Sequence, residues 1–185
     1  MGDLRLKSHH LAFVKVKHNS VEHDSLGIVN ASDQKMKVSF SGVPDHIDLQ
    51  TNPKVMNPGE ESYIYGTYDP TKINDWGFRM DRVRVKVNGK NVSHNTLVIS
   101  AKIIEDFSHL SEEERANAPN VKFDRTTFNF GTAGQNSKVE HVFHFKNTGK
   151  RDLKIRKIRS TCGCTTVKPD KTVIGPGESS SFKAV

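Results

Sequence analysis

The sequence predicts an all-β protein: two β-sandwich domains in tandem, joined by a short helical linker, with the second domain cut short. Three observations carry this. One unit of sequence occurs twice. Most segments alternate apolar and polar residues with period two, as strands with one buried face do. Turn signals such as Asn-Gly and Pro-Gly separate those segments at short intervals.

The repeat comes first because two copies of one unit constrain architecture more than any local pattern. Asn30 corresponds to Asn147, Lys37 to Lys154, and Pro58-Gly59-Glu60 to Pro176-Gly177-Glu178, with one extra residue in the second copy between the last two anchors. Upstream, Phe13 corresponds to Phe130 in the same register. Cys162, Gly163 and Cys164 then align with Asp45, His46 and Ile47. A fold built by both copies does not need the cysteines, so any cysteine chemistry belongs to the second copy.

The elements follow in chain order. Leu4-Arg5-Leu6 begins the first copy as a strand, and Tyr63–Tyr68 follows its Pro-Gly-Glu turn. Strands are expected at about 80–88 and 95–104. In the first of these, Val83, Val85 and Val87 face a core while Arg82, Arg84 and Lys86 face water. Asn88-Gly89 makes the hairpin between them, since both residues tolerate positive φ. Residues 1–104 thus form the first domain. Residues 105–119 read as a helical linker: Ser111 with Glu114 makes a capping box, acids fill the first turn, and Pro119 stops the helix. The second domain, 120–185, restarts with Val121-Lys122-Phe123. Its segment Val139–Phe145 puts 139, 141, 143 and 145 on one mostly apolar face. It stops soon after its Pro-Gly-Glu strand, without the hairpin that completes the first copy. An open sheet edge is the expected result, and with it self-association by strand pairing.

Composition bounds the function. The chain has 185 residues, room for two small domains. Hydrophobic residues are 34% and charged residues 26%, a balance that suits small sandwiches with solvated outer faces. The net charge of +7 permits anionic partners. Two cysteines exclude a disulfide framework. No apolar run approaches the ~20 residues that span a bilayer. The start, MGDLRLKSHH, has no apolar stretch and so no signal peptide. Sequons stand at Asn30-Ala31-Ser32 and Asn91-Val92-Ser93.

Candidate chemistry is sparse. The triplet Cys162-Gly163-Cys164 is the unusual group. In an extended strand its two sulfurs leave one face. They can be plain half-buried thiols, half of a tetrahedral metal site, or a strained disulfide if Gly163 bends the chain. His141 or His144 can supply a further ligand, but not both, because residues three apart on a strand face opposite ways. The basic run 150–159 offers Lys154, Arg156, Lys157 and Arg159 as polyanion contacts. Its alternation with Leu153 and Ile155 reads better as a solvated strand face, and no aromatic residues interleave to stack on bases, so nucleic acid is disfavoured. His9-His10 cannot chelate together, since neighbours on a strand diverge. Gly131-Thr132-Ala133-Gly134 reads as a turn between strands, not a phosphate cradle. There is no HExxH, GxSxG or GxxxxGK[ST]. No acid/base constellation emerges, so no enzyme, no cofactor and no small-molecule substrate are expected.

With these residues in hand, the second copy resembles a known family. Phe128–Gly131 (FNFG), Phe145–Gly149 (FKNTG), Leu153–Ile155 (LKI), Cys162–Thr165 (CGCT) and Ile174–Glu178 (IGPGE) occur in the order and spacing of the domain of unknown function 1573, abundant in Bacteroidetes envelope proteins. The first copy is a divergent match that keeps the Asn turn, Pro-Gly-Glu and Thr67–Asp69 but lacks the cysteines. The resemblance implies an immunoglobulin-like sandwich akin to ASH and major-sperm-protein domains. It also implies export to the periplasm or surface of a Gram-negative bacterium, with the export leader outside these residues. No catalytic residue comes with it. The expected role is therefore a non-catalytic structural or protein-binding module. The alternative is a thiol- or metal-handling module centred on Cys162 and Cys164.

Overall fold

In a computed structural model, described for residues 3–135, 137–160 and 167–185, the chain divides into two compact units, Met1–Asp106 and Phe107–Val185. Unit 1 has nine strands: β1 (Leu4–Leu6), β2 (His10–Lys17), β3 (Glu22–Asn30), β4 (Met36–Ser41), β5 (Ile47–Asn52), β6 (Val55–Met56), β7 (Glu61–Tyr68), β8 (Gly77–Val87) and β9 (Lys90–Ile104). They make two sheets, one in the order β1-β3-β7-β5 and one in the order β2-β9-β8-β4-β6.

Period-two patterning builds the core between these sheets. Leu26 and Ile28 of β3 and Ile64 and Tyr68 of β7 point in from one side. Leu11 and Phe13 of β2, Val83 and Val85 of β8, and Leu97 and Ile99 of β9 point in from the other. Each such aliphatic side chain contributes about 1.5–3 kcal/mol by leaving water. The β8–β9 hairpin turns on Asn88 (φ 49°) and Gly89 (φ 77°), the left-handed pair that the Asn-Gly signal calls for. β2 runs parallel to β9, with a bulge between Phe13 and Val16.

Unit 2 opens with α1 (Glu112–Ala116), only five residues long. Both halves of its capping box form: Ser111 Oγ accepts from the Glu114 amide, and the Ser111 amide donates to the Glu114 carboxylate. These bonds to Ser111 hold the Glu114 carboxyl below its ordinary range. Then come β10 (Val121–Phe123), β11 (His141–Asn147), β12 (Leu153–Lys154), β13 (Val167–Pro169), β14 (Val173–Ile174) and β15 (Ser179–Ala184). One sheet has the order β10-β11-β15-β13, and β12 pairs with β14.

The sequence repeat is a repeat of register. Leu4 pairs with Asn30 as Val121 pairs with Asn147. Ile28 pairs with Ser62 as Phe145 pairs with Ser180. Lys37 pairs with Val55 as Lys154 pairs with Val173. Leu49 pairs with Gly66 as Val167 pairs with Ala184. The extra residue of the second copy therefore lies between Lys154 and Val167.

One expected correspondence fails in form. Phe13 is 5% exposed inside β2, whereas Phe130 is 59% exposed and lies in no strand. Gly131–Gly134 accordingly follows irregular chain rather than a strand. The physical reason is the missing ladder: β2 is held by its hydrogen bonds to β9, and residues 107–185 supply no counterpart of β8 or β9 among the described residues. A strand without a neighbour has nothing to bond its backbone.

Candidate functional site

The loop that enters β5 in unit 1, and the matching stretch that enters β13 in unit 2, hold the candidate chemistry of each copy. Each unit is fastened at its repeated asparagine. In unit 1 the buried Asn30 side chain donates to the carbonyls of Gln34 (2.8 Å), Asn57 (3.0 Å) and Met56 (3.3 Å), while its own carbonyl accepts from Ser32. Backbone bonds run from Asn30 to Glu60 and from Gly59 back to Asn30. In unit 2 Asn147 donates to Arg151 (2.7 Å) and Ile174 (2.9 Å) and accepts from Gly149 and Asn120. Asn147 and Gly177 repeat the backbone pair. Gly59 and Gly177 sit at φ 73° and 75°, so the Pro-Gly-Glu turn needs glycine there. The following glutamate closes the turn by accepting from the Asn57 or Gly175 amide. This is a fastening, not a reactive group: each asparagine amide is spent chiefly on backbone.

Unit 1 carries a buried polar cluster that sequence patterning did not announce. His46, just before β5, lies with Nε2 3.0 Å from Asp81 Oδ2. From β8, Arg79 grips the same carboxylate through Nε (3.1 Å) and Nη2 (3.3 Å) and reaches Asp75 at 3.5 Å. The Tyr68 ring packs edge-on to His46 at 5.2 Å. Its hydroxyl is buried without a hydrogen-bond partner among the described residues. Burial, with Asp81 nearby, pushes the Tyr68 hydroxyl up to about 12, so it stays protonated at any ordinary pH. The inward alternation of β8 (Arg79, Asp81, Val83, Val85) is the signal that could have found this cluster, since two charged residues occupy core-facing positions. Chemically the cluster is an ion-pair plug. It holds no serine, threonine or cysteine nucleophile beside the histidine.

The sites expected from sequence fare differently. Cys162 and Cys164 lie outside the described residues. Lys154 is exposed in β12, opposite Val173. Arg156, Lys157 and Arg159 are exposed in irregular chain, with Leu153, Ile155 and Ile158 partly buried between them. The regular strand ends at Lys154, although Ile155 still donates to Thr172. His141 and His144 diverge as expected: His144 is exposed, and His141 stacks on Phe128 at 3.8 Å. Among the described residues no group of three His, Cys, Asp or Glu side chains could hold a metal ion. An open groove of about 610 Å³ lies between β4 and β5, lined by Lys37, Lys54, Asp45 and Asp48 among others. It has mixed charge and no nucleophile–base pair.

Against known proteins, residues 121–185 match the family model described as protein of unknown function, DUF1573. The second unit is therefore similar to DUF1573 from β10 to Val185. The match begins at β10, the first strand of that unit, and DUF1573 therefore coincides with the sheets and not with α1. A crystal structure of a protein of unknown function from Porphyromonas gingivalis W83 is similar over 99% of this chain and 82% of its own, with a TM-score of 0.64 at 16% identity. The likeness is one of fold. The PapD-like ASH domain of human CEP192 matches at 12% identity, covering 56% of this chain and 87% of its own, with a TM-score of 0.43. The CupB2 chaperone of Pseudomonas aeruginosa matches at 11% identity over 96% and 87%, with a TM-score of 0.38. No curated protein matches. The fold is nearly all β, with two facing sheets in unit 1, and no helix among the described residues is long and apolar enough to cross a membrane.

Proposed function

We propose that this chain is a non-catalytic, protein-binding module built from two immunoglobulin-like repeats, working in the envelope of a Gram-negative bacterium. In this reading unit 2 is a repeat that presents part of its interior to a partner. The observation that carries it is the aromatic face of unit 2. Phe143 and Phe182 stack at 5.3 Å, and Phe128 lies on His141. In unit 1 the corresponding face, bearing Leu26 and Ile64, is covered by β2, β8 and β9. In unit 2 Phe128 and Phe130 are exposed. Aromatic surface of this kind gains most when another chain covers it.

A second copy of the chain is the partner in this reading, because exposed backbone groups beside an apolar face favour strand pairing. Sedimentation equilibrium across a concentration series tests it. A dimer that Phe130→Ser weakens at least tenfold, without loss of folded signal, supports the reading. A monomer at every concentration overturns it. The placement in the envelope is supported by the kinship of residues 121–185. Fractionation of cells making the native gene product tests it.

A further inference from the structure

We infer that the outer face of the five-stranded sheet in unit 1 binds the surface of an anionic lipid bilayer. This face is remote in sequence from DUF1573 and plays no part in the reading above. Its outward positions run down β8 at every second residue: Phe78, Met80, Arg82, Arg84 and Lys86. Phe78 and Met80 are each 45% exposed, and neither belongs to the core. Arg82 and Arg84 are exposed and Lys86 partly so. The paired strands extend the pattern. Lys102 of β9 stands directly opposite Phe78. Across β9, Val14 projects from the β2 bulge with 77% exposure.

Two independent features therefore share one face. At one end is an apolar patch of Phe78, Met80 and Val14 with Lys102 among them. At the other is the basic stripe Arg82, Arg84 and Lys86. The residues hydrogen-bonded across from the stripe are neutral: Ser41 and Thr96 flank Arg84, Ser39 and Asn91 flank Lys86, and Val98 faces Arg82. No aspartate or glutamate occupies an outward position of this sheet among the described residues, although the chain has 21 acids. Neither arginine of the stripe, nor Lys86 or Lys102, forms an ion pair among the described residues.

Charge and shape together select the occupant. A basic face alone would take any polyanion. An apolar face alone would take any protein. Apolar side chains beside lysine and arginine suit an interface in which hydrocarbon lies just beneath anionic headgroups. Phe78, Met80 and Val14 would enter the acyl boundary, and the guanidinium groups would meet phosphates bidentately. The strand gives the array rigidity, since β8 is the central strand between β9 and β4.

The test is partition of the whole chain onto extruded vesicles of phosphatidylcholine alone or with 30% phosphatidylglycerol. Binding to the anionic vesicles that falls steeply with added NaCl is expected. Each removed cation should weaken it about fivefold, so the triple variant R82S/R84S/K86S should lose roughly a hundredfold. F78S/M80S should weaken binding at least tenfold while leaving dextran sulfate binding, measured in parallel, unchanged. Exposed serines cannot empty the core, and near-ultraviolet circular dichroism of each variant checks that it is folded. Equal partition onto neutral and anionic vesicles overturns the proposal. So does F78S/M80S binding as well as the parent chain, which would make the face a site for soluble polyanions instead.

Discussion

Asn30 and Asn147 occupy the same joint in two separate units. Each is fully buried, and each donates its amide to the carbonyl four residues ahead and to a carbonyl on the strand or turn that leads into Pro-Gly-Glu. An amide can do this because it offers two donors and an acceptor on one short stem. Aspartate would lose both donors and bury a charge.

Replacing either asparagine by alanine should therefore destabilise its own unit by about 2–4 kcal/mol, since two or three buried or partly buried carbonyls lose their partner. Hydrogen exchange resolved by strand would assign the loss. N30A should loosen β3 and β7 and leave β11 protected, and N147A should do the reverse.

Tyr68 gives a prediction of opposite sign. Its hydroxyl is buried and unpartnered, so Tyr68→Phe should be neutral or stabilising by up to about 1 kcal/mol. The pH profile should change as well. The folded hydroxyl titrates near 12 against 10 for an exposed tyrosine. Below 10 both states hold the proton. Between 10 and 12 the unfolded chain loses it first, and stability falls with rising pH. Urea melts at pH 9 and 11 should show that fall in the parent chain and a smaller one in Y68F.

Asp81 is the keystone of the buried cluster, with His46 on one side and Arg79 on the other. Asp81→Ala should cost about 3 kcal/mol, because it strands a half-buried guanidinium beside a buried imidazole. A double substitution, D81A with R79M, should recover part of the loss. Thermal melts of the single and double variants measure the coupling.

Gly149 meets backbone where a Cβ would go: 2.3 Å from the Ala118 carbonyl oxygen and 2.5 Å from the Asn120 nitrogen. Backbone cannot swing aside as a side chain can. Gly149→Ala should cost unit 2 about 2–4 kcal/mol. Gly66→Ala should cost less than that contact implies at first sight, because the clash at 2.5 Å is with the end of Leu11. Parallel denaturation curves would rank the two.

For Cys162 and Cys164 the expectation rests on sequence. In sequence the first repeat aligns Asp45 and Ile47 with those positions, so C162S/C164S should remain folded, at a cost of about 1–2 kcal/mol if the thiols are buried. Mass spectrometry with and without reductant, together with metal analysis of the parent protein, checks the chemistry. One equivalent of metal lost in the double variant would reverse the expectation.

Much of the fold was legible because it depends on short-range rules. Val83 and Val85 announced an inward face by alternation, Asn88-Gly89 announced its hairpin, and Ser111 with Glu114 announced a cap. The repeat anchors Asn30, Asn147 and the two Pro-Gly-Glu turns were visible as letters before their hydrogen bonds were known. What was not legible depends on partners distant in the chain. Phe130 looks like Phe13, but a strand forms only where another strand bonds to it, and that information sits near residue 100. The link between His46 and Asp81 was hidden for the same reason: 35 positions separate them, and no pattern within either strand names the other.

The parallel pairing of β2 with β9 has a consequence for how the protein comes into being. His10 bonds Ser100, ninety positions later. A ribosome releasing the chain from its amino end exposes β2 well before it makes β9. Leu11, Phe13 and Val16 must wait, uncovered, for the time it takes to synthesise most of unit 1. At about 5–20 residues per second, that interval is several seconds. The first strand made on that sheet is among the last to be secured, so a factor that shelters nascent chains would have its longest task at residues 10–17.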